Sequence, residues 1–140
     1  LAVRDILRLE MKYCLYGNDI NENISPIEAG LNWIVKNKGN FIGSKIINEH
    51  QNNGVVKKLL CIQMVDKCIP RTGYKIFTDD IHIGEVTSGT FSPRLKCGIA
   101  LAYIDQHYIG TESINMEIRG KRFNGIIVTP PFIKNTSLHN

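Results

Sequence analysis

The chain has 140 residues, of which 43% are hydrophobic and 21% charged, a balance typical of a soluble globular protein. Its formal net charge of +4 is small and its basic residues are dispersed, which does not indicate a nucleic-acid partner. No apolar run approaches the roughly 18 residues of a membrane span, so we expect no membrane partner. Because the sequence begins without Met, inside a predicted helix, we expect it to be part of a longer protein.

The first predicted element is a helix from Ala2 to about Met11. Apolar residues recur along it at near-helical spacing, at Val3, Ile6, Leu7 and Met11. Arg4 and Asp5 are adjacent in sequence and cannot face each other on a helix, so we expect them to tie this helix to neighbouring segments, including ones missing from this chain. Turn-forming residues follow at Gly17-Asn18-Asp19.

Short elements follow a polar stretch. Ser25-Pro26 is typical of a helix N-terminus and predicts a helix of about one turn. Apolar residues alternate from Leu31 to Val35, which predicts a short strand with Trp33 in the core. A second helix is expected from Ser44 to Asn52, with Gly54 as its C-cap.

From Val56 onward the apolar period changes from helical to alternating, and short strands separated by turns follow. This pattern predicts a small antiparallel β-barrel of about six strands, so the fold class is α+β. We place the segment boundaries at 1–54, 55–134 and 135–140, the last being a loose polar tail. The predicted strands are 57–65, 74–77, 81–89, 99–104, 113–119 and 122–129.

The stretch from Gly84 to Leu95 combines a strand with turn-forming residues. Two glycines and a proline interrupt it, so we predict a sharp turn after Gly89. The hydroxyl groups of Ser88, Thr90 and Ser92 are suited to bond nearby backbone in such a turn. The stretch lacks the Gly-x-Ser-x-Gly pattern of a nucleophile elbow and has no base nearby, so we predict a structural role.

Neither the cysteines nor the histidines have the spacing of a metal site. There is no Cys-x-x-Cys pair, so we predict no zinc, no dense disulfide framework, and reduced thiols. The cysteines are Cys14, Cys61, Cys68 and Cys97, and the histidines, which we expect on the surface, are His50, His82, His107 and His139.

Specific motifs run in order along nearly the whole chain, up to Phe132. The stretch 84–95 reads Gly-x-Val-Thr-Ser-Gly-x-x-Ser-Pro-x-Leu, and the apolar strand Ile99–Ile104 follows it. The other motifs are Leu7-Arg8-Leu9-Glu10, Leu15-Tyr16-Gly17-Asn18-Asp19-Ile20, Ser25 to Leu31, Glu117 to Arg122 and Pro131-Phe132. Together they resemble the C-terminal portion of the glycine cleavage system T-protein family, the aminomethyltransferases. The resemblance implies the end of a folate-binding α+β domain followed by a C-terminal barrel.

The resemblance also implies an activity. Members of this family take an aminomethyl group from the lipoyl arm of H-protein, release ammonia and pass the one-carbon unit to tetrahydrofolate. The catalytic aspartate of the family lies in the N-terminal half, so no catalytic residue is expected in this chain. The implied partners are lipoylated H-protein and the missing N-terminal half, in the cytoplasm of a bacterium or the mitochondrial matrix of a eukaryote.

Three residues are implied to bind folate: Glu10, Lys38 and Arg71. The glutamate matching Glu10 binds the pterin, and a carboxylate can accept two parallel N–H bonds from such a ring. Lys38 stands where the family places a basic residue for the folate glutamate tail, although the family often has arginine there. Arg71 matches a family Pro-Arg beside the cleft between the domains, facing folate or the acidic surface of a partner. By sequence alone, each of the three is also compatible with a solvated surface residue.

Three alternatives remain open. The C-terminal regions of sarcosine and dimethylglycine dehydrogenases, and folate-binding iron–sulfur assembly proteins, share this architecture. A basic barrel that binds nucleic acid would need aromatic residues interleaved with basic ones, for which Phe123 is the only hint. A non-catalytic remnant that only makes contacts is the third.

Overall fold

The computed structural model describes residues 2–36 and 38–136. Helices and turns come first: α1 spans Ala2–Glu10, a short 3-10 helix spans Asn32–Ile34, and α2 spans Ser44–Asn53. Six strands follow and close into a barrel, which confirms the predicted α+β fold. The strands are β1 Lys57–Met64, β2 Lys75–Thr78, β3 Ile81–Ser92, β4 Cys97–Asp105, β5 Ser113–Ile118 and β6 Lys121–Val128. A second 3-10 helix, Gln106–Tyr108, connects β4 to β5.

The barrel is antiparallel throughout, in the order β1-β4-β3-β2-β5-β6. It closes where β1 pairs with β6, in a register that sets Cys61 opposite Val128. Each of the six described strands therefore has two neighbours, and no open edge remains in the sheet.

Strand β4 separates two cores, because side chains alternate across a strand. One face of β4 points into the barrel with Ala100, Ala102 and Ile104. The other face, formed by Ile99, Leu101 and Tyr103, packs on the outer side of the barrel with Leu59 and Cys61 of β1, Leu9 of α1 and Phe132. Since α1 lies against β3 and β4, its C-terminal end is held on the outer wall of the barrel.

The predicted sharp turn after Gly89 is wrong. Strand β3 continues to Ser92 with a register shift between Val86 and Ser88, and the chain turns only over residues 93–96. A Cβ at Gly89 would lie 2.6 Å from the carbonyl oxygen of Pro70, so close packing requires this glycine. The same argument applies to Gly84, where a Cβ would lie 2.1 Å from a backbone oxygen of β4.

The predicted strand from Leu31 to Val35 is also wrong, and Trp33 is not in the core. This segment contains the 3-10 helix, in which Ile34 and Val35 donate their N–H groups to Leu31 and Asn32 at 3.1 Å. Trp33 is 81% exposed. Because the barrel is closed, it offers no edge to which another strand could add.

The remaining local predictions agree with the structure in part. Helix α2 ends at Asn53, and Gly54 caps it with an N–H bond to the carbonyl of His50 at 3.1 Å. The predicted one-turn helix after Ser25 is not a regular helix: residues 26–30 form turns, at the start of which Ser25 and Glu28 exchange side-chain bonds to each other's backbone N–H groups. The domain boundary at 54 stays a prediction. Residues 137–140 of the predicted tail, with His139, lie outside the described residues.

Candidate functional site

Helix α1 ends with a buried carboxylate. Glu10 is 2% exposed, and its Oε1 accepts a hydrogen bond of 2.5 Å from the hydroxyl of Ser92, which is fully buried in β3. The oxygen of Ser92 in turn accepts the backbone N–H of Leu95 at 3.1 Å. The backbone carbonyl of Glu10 accepts the N–H of Ile133 at 3.2 Å. Glu10 is therefore held between the helix, the end of β3 and the segment after β6.

Burying a carboxylate is costly unless donors compensate for the lost water. A hydroxyl that donates to an ionised carboxylate makes a short, charge-assisted bond, which agrees with the 2.5 Å separation of Ser92 and Glu10. This bond joins residues 82 positions apart, so it also fixes α1 relative to the barrel.

Arg8 lies two residues before Glu10 and forms a second link to the barrel. Its Nη1 donates to Asp19 Oδ2 at 2.7 Å, and its Nη2 donates to the hydroxyl oxygen of Ser88 at 3.0 Å. Its Nε donates to Asp5 one turn earlier at 2.8 Å. The guanidinium therefore connects α1, the following loop and β3, which uses the fixed fork of Arg donors.

Asp19 is the centre of this arrangement. Its side chain is 0% exposed, and it accepts the backbone N–H of Leu15 at 2.9 Å and the hydroxyl of Thr87 at 2.5 Å in addition to Arg8. Its backbone carbonyl accepts the phenol of Tyr103 at 2.7 Å. Burial raises the pKa of the Tyr103 phenol, so this group stays a neutral donor. We call Arg8, Asp19, Thr87, Ser88 and Tyr103 the buried polar network.

Two open clefts border α1. The larger, about 1000 Å³, has largely apolar walls that include Val3, Leu7, Met11 and Tyr13. The smaller, about 450 Å³, is lined by Asp5, Arg8, Ser88, Gly89, Arg71 and Thr72, among others. Asp5, Arg8 and Leu15 line both, so the two clefts adjoin along α1 and the loop that follows it. Concave apolar walls with a few polar groups are typical of small-molecule sites.

The three predicted folate-binding residues occupy different environments. Glu10 is buried against Ser92, whereas Arg71 is exposed and lines the smaller cleft with Arg8. Lys38 is exposed in a loop, where its backbone N–H donates to the carbonyl of Lys36 at 2.9 Å. Within 2–36 and 38–136, no hydrogen bond or ion pair joins any two of these three residues.

Comparison with known families decides where this chain belongs. The family model described as the glycine cleavage T-protein C-terminal barrel domain matches residues 57–134. A second model, the GCVT N-terminal domain, matches residues 1–39. The chain belongs to the glycine cleavage T-protein family. The resemblance of its motifs to the C-terminal portion of that family is thereby confirmed.

Curated relatives of this T-protein family member bear the name aminomethyltransferase. The protein of Bacteroides fragilis is 46% identical over 139 residues, and that of Bacillus cytotoxicus is 42% identical over 137 residues. The matches cover 96% of this chain but only 38% and 37% of the two relatives. The chain thus spans less than two fifths of the length of these enzymes.

A solved structure agrees with the same assignment. The crystal structure of glycine cleavage system aminomethyltransferase T from Bartonella henselae superposes with a TM-score of 0.86 at 33% sequence identity. The match covers 94% of this chain and 38% of that protein. The barrel and the N-terminal helices of the T-protein portion therefore share one arrangement with a solved member of the family.

Sequence reasoning does not find the buried polar network. It predicts that Arg4 and Asp5 tie α1 to neighbouring segments, including missing ones; among the described residues Asp5 bonds to Arg8 of the same helix, and Arg4 is exposed. The three-residue spacing of Asp5 and Arg8 is a signal that can find this pair. The residues around Asp19 indicate turn chemistry, and no local pattern indicates that a turn aspartate is fully buried.

The described residues contain no group of three or more His, Cys, Asp or Glu side chains arranged to hold a metal ion. Among the same residues, no helix is both long enough and apolar enough to cross a membrane. The four cysteines are unpaired thiols, and burial raises the pKa of Cys61 to about 12.

Proposed function

We propose that this chain is the C-terminal part of a tetrahydrofolate-dependent aminomethyltransferase of the glycine cleavage system. The enzyme takes the aminomethyl group carried on the lipoyl arm of H-protein. The C–N and C–S bonds of this carbon break, releasing ammonia and the lipoyl arm as a free thiol, and the carbon forms bonds to two nitrogens of tetrahydrofolate as the methylene bridge of 5,10-methylenetetrahydrofolate. This chain supplies part of the folate site, and the N-terminal half supplies the catalytic aspartate. In this proposal the chain alone makes only part of the contacts with H-protein and folate, and it does not catalyse the transfer.

The observation that carries the proposal is the match to T-protein family models on both sides of residue 54, in the family order. Relatives at 46% identity across 96% of the chain are named aminomethyltransferases. These names favour the aminomethyltransferase over the dehydrogenase-like alternative, which shares only the architecture.

The environment of Glu10 supports its role as the pterin-binding residue. Its carboxylate is already ordered by Ser92, so little side-chain freedom remains to be lost when a ligand binds. A carboxylate has two oxygens that accept several hydrogen bonds, and a pterin presents parallel N–H donors. Glu10 is not among the residues that line the larger cleft along α1 or the smaller cleft, so the proposal places the pterin where the N-terminal half completes the surroundings of this carboxylate.

The two cations are assigned to the charged end of the ligand. Lys38 is exposed and, in the proposal, attracts the carboxylates of the folate glutamate tail. Arg71, on the rim of the smaller cleft, contacts either that tail or an acidic face of H-protein. An exposed cation contributes a salt-dependent attraction, so both contacts should weaken as ionic strength rises.

The decisive test substitutes Glu10→Gln in a chimera that joins the N-terminal portion of the Bacteroides fragilis relative to this chain. Glutamine keeps the size of the side chain but replaces an acceptor by a donor that faces the pterin N–H groups. Tetrahydrofolate binding, measured anaerobically by calorimetry, should weaken by about 2–4 kcal/mol, the cost of losing one partner of a buried charged hydrogen bond. Glu49→Gln in the exposed part of α2 is the matched control and should leave binding unchanged.

Equal affinities of the Glu10→Gln and Glu49→Gln chimeras for tetrahydrofolate would refute the assignment of Glu10. A second set of measurements distinguishes the roles of Lys38 and Arg71. Lys38→Ala should weaken the binding of tetrahydrofolate. It should leave the binding of tetrahydropterin, which lacks the glutamate tail, unchanged. Arg71→Ala should raise KM for either tetrahydrofolate or H-protein, and the substrate affected identifies its contact.

A further inference from the structure

Ser92 is assigned no contact with a ligand in the function proposed above, yet it makes the one side-chain hydrogen bond described for Glu10 among residues 2–36 and 38–136. We propose that Ser92 is a positioning residue through which the barrel orients the Glu10 carboxylate for tetrahydrofolate. This inference rests on the proposed role of Glu10 in folate binding.

The direction of the Ser92 hydrogen bond is set by its second contact. A serine hydroxyl has one proton and two lone pairs. The backbone N–H of Leu95 donates to the oxygen at 3.1 Å, so one lone pair is occupied and the rotation of the hydroxyl is restricted. The single proton then points to Glu10 Oε1 at 2.5 Å. Ser92 is thus a donor matched to a carboxylate acceptor.

Burial makes this pair a strong constraint. Ser92 is 0% exposed, so water does not compete for its hydroxyl. A hydrogen bond is electrostatically stronger in such a low-dielectric environment than in water. One oxygen of Glu10 is therefore fixed, and with it the plane of the carboxylate that is to meet the two N–H donors of the ring.

The bond also connects two parts of the family architecture. Glu10 lies in the segment that matches the GCVT N-terminal domain, and Ser92 lies in the segment that matches the C-terminal barrel. The turn after β3 places the hydroxyl, because Ser92 is the last residue of the strand and Leu95 lies within the following turn. According to this inference, the barrel contributes to ligand affinity through Ser92 as well as to packing.

If Ser92 had a purely structural role, its substitution would change ligand affinity by the same factor whether or not Glu10 is present. The test is therefore a double-mutant cycle. Four chimeras are compared: the unsubstituted protein, Glu10→Gln, Ser92→Ala and the double variant. Ser92→Ala should weaken tetrahydrofolate binding about 10-fold or more, from the loss of a hydrogen bond to a charged group. In the Glu10→Gln background the same substitution should change affinity by less than about twofold. Steady-state kinetics should show a raised KM for tetrahydrofolate with little change in kcat.

Ser88→Ala is the matched control, because Ser88 is a buried serine of the same strand that contacts Arg8. Its effect on affinity should be the same in the unsubstituted chimera and in the Glu10→Gln chimera, whatever the size of that effect. If Ser92→Ala does not give folded protein, Ser92→Cys, close in shape but a weaker donor, takes its place in the cycle.

The outcomes separate this inference from the function on which it rests. An equal loss of affinity from Ser92→Ala in both backgrounds, or no loss in either, would overturn the positioning role. If Glu10→Gln itself leaves affinity unchanged, the folate role of Glu10 fails first. If Glu10→Gln weakens binding and Ser92→Ala does not, only the inference about Ser92 fails.

Discussion

Replacing Asp19 by alanine should weaken the attachment of α1 and the following loop to the barrel. The substitution removes the acceptor shared by Arg8, the backbone N–H of Leu15 and the hydroxyl of Thr87. The side chain of Arg8 is only 12% exposed, so water cannot fully replace the lost carboxylate. Donors left unpaired in a buried place cost more than the bonds contributed when intact.

The expected loss follows from these contacts. Removing one partner of a buried ion pair typically costs about 3–5 kcal/mol. Asp5 remains as a second partner of Arg8, at 2.7 Å, so we expect the lower end, about 3 kcal/mol. That is a large part of the roughly 5–15 kcal/mol by which a typical domain is stable.

Urea unfolding of the 140-residue chain measures this loss. With a slope of about 1–3 kcal/mol per molar urea, a loss of about 3 kcal/mol moves the midpoint down by roughly 1–3 M. Asp5→Ala is the matched control, since it removes the other partner of Arg8. The side chain of Asp5 is 44% exposed, so this control should cost less than about 1 kcal/mol. Similar midpoints for Asp19→Ala and Asp5→Ala would refute the idea that the buried polar network holds the segment.

Three further predictions concern the barrel and the activity. Gly84→Ala places a Cβ 2.1 Å from the carbonyl oxygen of Tyr103, so it should lower the unfolding free energy by more than about 2 kcal/mol, which thermal unfolding would detect. Cys61, whose pKa burial raises to about 12, holds almost no thiolate at about pH 8 and should react with a disulfide reagent last of the four thiols; prompt labelling in the folded chain would contradict its burial. The isolated chain with H-protein and tetrahydrofolate should form no methylenetetrahydrofolate, because positioning and electrostatic stabilisation need groups on both sides of the reacting atoms; measurable product would place a catalytic group here.

Local patterns are sufficient for most secondary structure. The change of apolar period at Val56 correctly predicts where helices give way to strands, because helix and strand alternation differ along the chain itself. Local patterns fail where a short alternating segment has no neighbouring strand with which to pair. Three alternating apolar residues around Trp33 form no strand, since the barrel closes without them.

Glycine shows the same limit in a different way. The sequence favours Gly89 as a turn residue, whereas it lies within β3 and allows the backbone of Pro70 to approach. Glycine serves both purposes, and the sequence does not say which one applies. Only the packing of one segment on another shows whether a glycine is needed for its backbone freedom in a turn or because a side chain would not fit.

By itself, the sequence determined the α+β class, the six-strand count, the family and the choice of Glu10 as the leading candidate residue. Tertiary structure decided what surrounds that residue. Arg8 meets Asp19 across 11 positions and Ser88 across 80, and Glu10 meets Ser92 across 82. Helical and strand periodicities describe neighbours a few positions apart. Partners this distant are brought together only by strand register and barrel closure, because these set which side of β3 and β4 faces α1.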